Sequence, residues 1–257
     1  VPVHFGGQSC DMKKIWDIAK KRNLHIIEDA SHALGGTYHK KPIGSCRFSD
    51  CCTFSFHPVK PIATGEGGAI TTNSKSLYDA LITLRSHGIT KDSHIMQQNE
   101  GPWFYEMQDL GYNYRITDIQ ASLGLSQLKK LPTFVQQRRY ISSCYDKAFK
   151  EVSWITPLET DNEESGRHLY VIKIDFDQLN KTRTEVMTLL RENGVGTQVH
   201  YIPVYNQPYY KQLGFNQDNY PQCNRYYEKA LSIPLFPMMT EHDTQHVINQ
   251  LLRLDPA

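Results

Sequence analysis

The order of apolar and polar positions predicts a chain in which strands and helices alternate. Short apolar runs predict strands at residues 1–5, 24–28, 52–56 and 68–72. The run at 24–28 is typical of a strand buried on both faces. Apolar residues spaced three and four apart predict a helix over 11–22, capped by Asp11, and another after Ser74. This alternation favours an α/β fold.

The remaining pattern predicts a second group of elements. A helix capped by Thr117 is expected to break near Pro132 and to resume over 134–150. A capping box at 182–185 opens a helix that ends at Gly194, and a last helix follows Thr240. Further strands are predicted at residues 168–174 and 197–201, with loops at 156–166 and 203–210.

Periodicity disappears between residues 88 and 113, which predicts a long loop. A loop of this length in a compact protein is usually functional or disordered. Trp103, Phe104 and Tyr105 favour function, because disordered segments are poor in aromatic residues. We expect this loop to fold over a substrate at an interface between two subunits.

Length and composition limit the possible domain organisation and binding partners of the chain. The chain has 257 residues, and we expect a large domain at 1–131, which includes a helix leading to the second domain, and a smaller α/β domain at 132–257. A net charge of +1 does not indicate binding to nucleic acid or to a membrane surface. Six cysteines lack metal-binding spacing and suggest reduced thiols in a cytoplasm.

The sequence Ser-Phe-His-Pro-Val-Lys at 55–60 is the strongest chemical signal. It brings Lys60 into a turn after an apolar strand, followed by Gly65-Glu66-Gly67-Gly68. A lysine in apolar surroundings loses its proton more easily and can form a Schiff base with an aldehyde such as pyridoxal phosphate. The alternative is a surface lysine in a polar loop.

Asp29 follows the predicted strand at 24–28, and ligands of open parallel sheets bind outside the carboxyl ends of strands. A carboxylate there can keep a pyridine nitrogen protonated, so that the ring accepts electrons. Asp29 could equally be a helix or turn cap. His32 is close enough in sequence to cover a ring face, although a lone histidine is more often an ordinary loop residue.

These segments resemble one known family. The motifs occur in the order found in sugar-nucleotide aminotransferases of the DegT-DnrJ-StrS family, which are fold type I enzymes dependent on pyridoxal phosphate. The matching segments are Glu-Asp-Ala-Ser-His-Ala at 28–33, the two segments around Lys60, Gly-Tyr-Asn-Tyr-Arg at 111–115, Gly-Thr-Gln-Val-His-Tyr at 196–201 and Leu-Ser-Ile-Pro-Leu-Phe-Pro at 231–237.

The resemblance implies roles for residues around the cofactor. Lys60 is expected to be the Schiff-base lysine, Asp29 the partner of the pyridine nitrogen, and His32 the residue stacked on the ring. Ser55 is expected to bind the cofactor phosphate. The implied fold is a large domain with a mostly parallel sheet, incomplete at its amino end, and a smaller α/β domain.

The resemblance also implies a homodimer with shared active sites. Asn113 would reach the phosphate bound by the neighbouring subunit, and Arg115 would add charge to the same site or serve a structural role. His200 and Tyr201 match a segment that lines the sugar-nucleotide pocket; the alternative is a polar strand edge.

The implied reaction transfers an amino group, with glutamate as the expected donor, to the C4 keto group of a nucleotide-linked 4-keto-6-deoxy sugar. The sequence around Lys60 is most similar to transaminases of UDP-linked 4-keto-6-deoxy-N-acetylhexosamines. Sugar dehydratases of the family replace the lysine with histidine, so Lys60 argues against that alternative. A third possibility is a non-enzymatic remnant that dimerises, because the chain begins after the segment that opens complete members.

Overall fold

The computed structural model describes residues 1–255, which form two compact units. The first unit contains residues 1–4 and 9–131. The second contains Phe5–Gln8 together with the chain from Pro132 onward. Residues 5–8 therefore belong to the second unit, although the sequence analysis placed them in the first domain.

The first unit is built around a mixed sheet. Its elements are α1 (Met12–Lys21), β1 (Ile27–Asp29), β2 (Thr37–Tyr38), β3 (Lys41–Pro42), β4 (Cys51–Ser55), β5 (Gly68–Thr71), α2 (Lys75–Arg85), β6 (Ile89–Thr90) and β7 (Glu106–Met107). The sheet has the order β1-β4-β5, with β1 parallel to β4 and β4 antiparallel to β5. The predicted α/β class is confirmed, although the sheet described here is not mostly parallel.

Two strand predictions at the start of the chain were wrong in detail. Residues 1–5 do not form a strand: Val3 makes a single parallel bridge to Asp29, and Phe5–Gly7 is a 3₁₀ turn. The strand predicted at 24–28 is shorter and is not buried on both faces, since Leu24 and Ile27 are exposed. Buried Glu28 instead binds His4, whose Nε2 lies 2.7 Å from Glu28 Oε2.

The region from 88 to 113 is less irregular than the sequence suggested. Strands β6 and β7 pair antiparallel and close the intervening residues into a loop. The helix α3 (Asp118–Phe149) also differs from the prediction, because it continues through Pro132 without a break. An interior proline removes one backbone donor and usually kinks or breaks a helix, but here helical residues continue on both sides of Pro132.

The second unit combines a small antiparallel sheet with helices. Its elements after α3 are β8 (Ile155–Pro157), β9 (Tyr170–Ile174), α4 (Arg183–Glu192), α5 (Pro208–Gln212), α6 (Pro221–Lys229), β10 (Ala230–Ile233) and α7 (Glu241–Leu252). Strand β9 lies between β10 and β8. Tyr145, Ile172 and Leu231 are completely buried in its core. In place of the strand predicted at 197–201, only Gln198 pairs, with Ser232.

Local capping explains where several helices begin. Thr182 and Glu185 form the predicted capping box at α4, and Thr240 forms another with Asp243 at α7. Asp11 caps α1 as predicted, and Ser74 caps α2, the helix that was predicted to follow it. Among residues 1–255, no helix combines the length and apolar character required to cross a membrane.

Candidate active site

Four of the predicted site residues, Asp29, His32, Ser55 and Lys60, lie at or just after strand ends at one edge of the first unit's sheet. Strands β1 and β4 are parallel and end there, with Asp29 opposite Thr53 and Ser55 two residues further on. Strand β5 begins at the same edge, where Gly68 is opposite Ser55. The connection between β4 and β5, which carries Lys60, therefore begins and ends at the edge that bears Asp29.

Asp29 is fixed by its neighbours on both sides. Its backbone N–H donates to Pro2 O at 2.9 Å, and its carbonyl accepts from His4 N at 3.0 Å. Its Oδ1 accepts from the N–H of Ser31 at 3.0 Å and from the hydroxyl at 2.6 Å. The alternative reading as a turn cap is thus partly correct, because Oδ1 caps the turn at Ser31. Among residues 1–255, no hydrogen bond engages Oδ2.

His32 and Ser55 lie in segments attached to the same strands. His32 is buried, with 7% of its surface exposed, and is flanked by completely buried Ala30 and Ala33. Ser55 is half-buried at the end of β4, and its Oγ accepts the N–H of His57 at 3.3 Å. Since Oγ accepts this bond, the Ser55 proton can be donated to an anion such as a phosphate oxygen.

Lys60 is the last residue of a tight turn. Its N–H donates to His57 O at 2.9 Å, and Pro58 occupies the second position, where the fixed proline φ favours a turn. Beyond Lys60 the chain is buried at Ile62 and Thr64. Lys60 itself is half-buried, which fits the interpretation as a lysine in partly apolar surroundings better than that of a surface lysine in a polar loop.

Two influences act on the Lys60 ammonium. Burial lowers its pKa below the usual value for lysine, and the Asp29 carboxylate acts in the opposite direction by raising it. The two groups belong to segments that lie at the same edge of the sheet. The arrangement favours a lysine that releases its proton more readily than a solvent-exposed one.

The loop between β4 and β5 is closed by bonds at its base. Phe56 N donates to Gly67 O and Thr64 N donates to Phe56 O, both at 2.9 Å. A side chain at Gly68 would place Cβ 2.7 Å from Phe54 O, and one at Gly67 would lie 2.4 Å from Thr64 Oγ1. The two glycines therefore permit a close approach that other residues would prevent.

Asn113 and Arg115 are exposed in a segment held against the end of α2. Asn113 forms a backbone bridge with Ser86, and Tyr114 N donates to Arg85 O at 3.0 Å. Their side chains lie on the surface of this chain beside exposed Tyr112. The structure places them in the first unit.

His200 and Tyr201 belong to the second unit. His200 is half-buried, and its Nδ1 lies 2.8 Å from Ser232 Oγ. Tyr201 is 52% exposed, and its ring meets the His200 ring edge-on. The geometry thus fixes the imidazole and leaves the phenol ring on the surface.

Sequence reasoning missed several residues that hold the site. Ser31 binds Asp29, and Gln120 Nε2 donates to Glu66 O at 2.9 Å, which ties the start of α3 to the Lys60 loop. The Thr-x-x-Gln spacing at Thr117 resembles a capping box and could have revealed Gln120, because its Oε1 accepts the N–H of Thr117. Ser232 lies far from His200 in sequence and gave no local signal.

The residues of the sheet edge fit pyridoxal phosphate. Asp29 Oδ2 can accept a bond from a protonated ring nitrogen, while Ser31 holds the other carboxylate oxygen in place. Lys60 supplies an amine with a lowered pKa, and Ser55 supplies a hydroxyl for the phosphate. These three groups come from two segments, the end of β1 and the end of β4 with its following loop, which lie at one edge of the sheet.

Comparisons with known proteins give the same family. This chain is 42% identical over 251 residues to the spore coat polysaccharide biosynthesis protein SpsC of Bacillus subtilis. The aligned region covers 96% of this chain and 64% of that relative. It is 40% identical over 253 residues to the UDP-4-amino-4,6-dideoxy-N-acetyl-beta-L-altrosamine transaminase of Campylobacter jejuni, with coverage of 98% and 64%. The chain therefore spans somewhat less than two thirds of these curated relatives.

The fold is also similar to a solved aminotransferase structure. The PLP form of the putative sugar aminotransferase Spr1654 from Streptococcus pneumoniae superposes with a TM-score of 0.87 at 32% identity, covering 98% of this chain and 67% of that protein. The DegT/DnrJ/EryC1/StrS aminotransferase family matches residues 1–252. With a match over nearly its whole length and the fold of a solved relative, this chain belongs to the DegT/DnrJ/EryC1/StrS aminotransferase family.

Proposed function

We propose that the protein is a pyridoxal phosphate-dependent aminotransferase that acts on a nucleotide-linked 4-keto-6-deoxy sugar, with glutamate as the amino donor. The observation that carries this proposal is that Asp29 and both ends of the loop with Lys60 lie at one sheet edge, and that burial lowers the pKa of the lysine. The transaminase name of the Campylobacter jejuni relative supports the substrate class.

Bound pyridoxal phosphate supplies an aldehyde that condenses with amines and a ring that accepts electrons. Lys60 Nζ is the proposed attachment point and also the base that carries a proton between carbon atoms of the reactants. Asp29 would keep the ring nitrogen of the bound cofactor protonated, and the Ser55 hydroxyl would donate to its phosphate. His32, buried beside Asp29, is proposed to pack on the ring.

The nucleotide sugar is proposed to bind to His200 and Tyr201 of the second unit. His200 and Tyr201 provide an imidazole and a phenol, which suit phosphate and sugar oxygens. Arg115, which is exposed in the first unit, is proposed to add a cation to the site that Asn113 completes in a partner subunit. Arginine is well suited to phosphate, because its guanidinium binds anions through several N–H groups.

We also propose a homodimer in which Asn113 completes the site of the partner subunit. Support comes from the exposed side chain of Asn113 and from apolar side chains exposed nearby. These are Leu110, Tyr112, Tyr114, Ile116 and Ile119. Several large apolar side chains exposed within residues 110–119 favour a protein interface.

The assignment of Lys60 is tested by trapping the cofactor. Pyridoxal phosphate is added to the chain, borohydride is used to fix any bond to an amine, and peptide masses identify the labelled lysine. We expect the label on Lys60, and its loss in Lys60→Ala together with a fall in transamination of about 10³-fold or more. The matched control is Lys75→Ala, which removes an exposed lysine paired with Asp79.

Two results would contradict the proposal. One is a label found mainly on a lysine other than Lys60. The other is transamination by Lys60→Ala at the rate of the Lys75→Ala control.

A further inference from the structure

The chain around His200 is held in place by residues from three separate segments of the second unit. Ser232 Oγ lies 2.8 Å from His200 Nδ1, and the Tyr226 hydroxyl donates to His200 O at 2.7 Å. Phe5 packs edge-on against Tyr201, with ring centroids 6.3 Å apart. The ring of His200 is therefore held by Ser232, and its backbone is held by Tyr226.

Ser232 is well placed to fix an imidazole. It is 5% exposed and lies within β10, where its backbone pairs with Val171. It also exchanges two backbone hydrogen bonds with Gln198, at 3.1 and 2.7 Å. A rigid hydroxyl bound to one ring nitrogen limits both the rotation of a histidine ring and its choice of tautomer.

Tyr226 supports the backbone of the same residue. Burial raises the pKa of its phenol, so the hydroxyl keeps its proton and remains a donor to His200 O. The ring of Tyr226 also meets Phe5 edge-on, with centroids 6.0 Å apart. Edge-on aromatic pairs of this kind add to the stability of their contact.

Phe5 reaches this cluster because residues 5–8 are bonded into the second unit. His168 N donates to Gly6 O at 2.9 Å, and Gly166 N donates to Gly7 O at 3.0 Å. Gly7 has a φ of 103°, and a side chain there would place Cβ 2.6 Å from Arg167 N. Glycine is thus required for the approach that sets Phe5 beside Tyr201.

We propose that Ser232 and Tyr226 are positioning residues that orient His200, with Phe5 supporting Tyr201, for binding the diphosphate of a nucleotide sugar. This inference rests on the proposed function and deepens it. Neither Ser232 nor Tyr226 needs to touch the ligand. Each acts by limiting the positions that His200 can adopt before the ligand binds, which reduces the entropy lost on binding.

The experiment measures binding of UDP to the chain by calorimetry in Ser232→Ala and Tyr226→Phe. Each variant loses one hydrogen bond to His200, so we expect the Kd to rise by about 2- to 10-fold. The matched controls are Ser142→Ala and Tyr145→Phe. Ser142 is a buried serine whose hydroxyl has no partner among residues 1–255, and the Tyr145 hydroxyl donates to a different backbone carbonyl, Pro234 O.

A second readout separates positioning from general loss of structure. Imidazole nitrogen NMR shifts report the tautomer of His200, with the signal assigned by its absence in His200→Asn. We expect the tautomer ratio to change in Ser232→Ala and to remain unchanged in Ser142→Ala.

The inference would be overturned if Ser232→Ala and Tyr226→Phe bound UDP as tightly as their controls, or if the unaltered chain did not bind UDP. The proposed function is tested separately by the label on Lys60, which lies in the other unit. Labelling of Lys60 without any effect of Ser232 or Tyr226 would leave the aminotransferase proposal intact and reject the positioning role.

Discussion

The state of the Lys60 amine depends on the balance between burial and one carboxylate. Burial disfavours the ammonium, whereas Asp29 favours it. The carboxylate is itself held by Ser31. A bound cofactor with a positive ring nitrogen against Asp29 would weaken the effect of this carboxylate on the Lys60 ammonium. The effect of Asp29 on the pKa of Lys60 and its proposed binding of the ring nitrogen are therefore linked.

Asp29→Asn should lower the pKa of Lys60 further, because it removes the negative charge that opposes the effect of burial. The pKa can be followed in the cofactor-free chain from the pH dependence of the rate at which Lys60 is modified by an amine reagent. The control is Glu66→Gln, because the loop's hydrogen bonds use the Glu66 carbonyl, while its carboxylate faces His57 Nε2 at 3.9 Å. A pKa that rose or stayed constant in Asp29→Asn would contradict this account.

The lowered pKa of Lys60 also affects the stability of the folded chain. A lysine whose pKa is lowered on folding binds fewer protons in the folded state than in the unfolded state. The contribution of Lys60 to the free energy of unfolding should therefore increase as the pH rises from its folded to its unfolded pKa. In Asp29→Asn this range should begin at a lower pH.

The segment between β6 and β7 carries large aromatic side chains that are exposed to solvent. Trp103 and Tyr105 are 68% and 55% exposed. The base of the loop is ordered by Glu106, whose carboxylate accepts the N–H groups of Gln97 and Gln98 at 2.7 and 2.8 Å. An ordered loop with exposed aromatic tips suits contact with a ligand or with another subunit.

Replacing residues 91–105 with a short Asn-Gly turn should impair UDP binding more than labelling of Lys60 by pyridoxal phosphate. The strands that flank the deletion, β6 and β7, can be joined by such a turn because they are antiparallel. The double variant Trp103→Ala and Tyr105→Ala is the milder comparison, and the same order of effects is expected. Loss of Lys60 labelling before loss of UDP binding would refute a role for this loop in substrate binding.

At the level of the whole molecule, the main feature is the set of apolar side chains around Asn113 that a single chain leaves exposed to solvent. In the first half of α3, Ile119, Leu123 and Leu128 are also exposed, between 43% and 84%. Burying such residues against a second copy would stabilise a dimer, because removing apolar surface from water is favourable. The proposed homodimer would thus cover this surface and supply Asn113 to the neighbouring site.

Mixing two inactive variants tests whether sites are shared. Lys60→Ala and Asn113→Ala chains should each be inactive alone, and unfolding and refolding them together would form mixed dimers. In a mixed dimer with shared sites, one site carries both substitutions and the other carries neither. Activity should then return to about a quarter of the unaltered level. Each variant unfolded and refolded alone is the control. If the refolded mixture regained no activity, the shared site would be rejected.

Much of the local structure follows from the sequence because its causes are local. The caps at Asp11, Ser74, Thr182 and Thr240 satisfy backbone groups within three residues, so a short spacing pattern was enough to predict them. The turn that holds Lys60 was indicated in the same way, by proline and glycine positions. The family was also evident from ordered motifs along the chain.

Other features depend on contacts between residues that are distant in sequence. The pairing of Val3 with Asp29, the transfer of residues 5–8 to the second unit and the bond between His200 and Ser232 have no local pattern. The sequence by itself thus determined the helix starts and the chemically active groups, since both depend on neighbouring residues. Only the tertiary structure decided which of those groups meet and what holds them, because packing energy is shared between segments far apart along the chain.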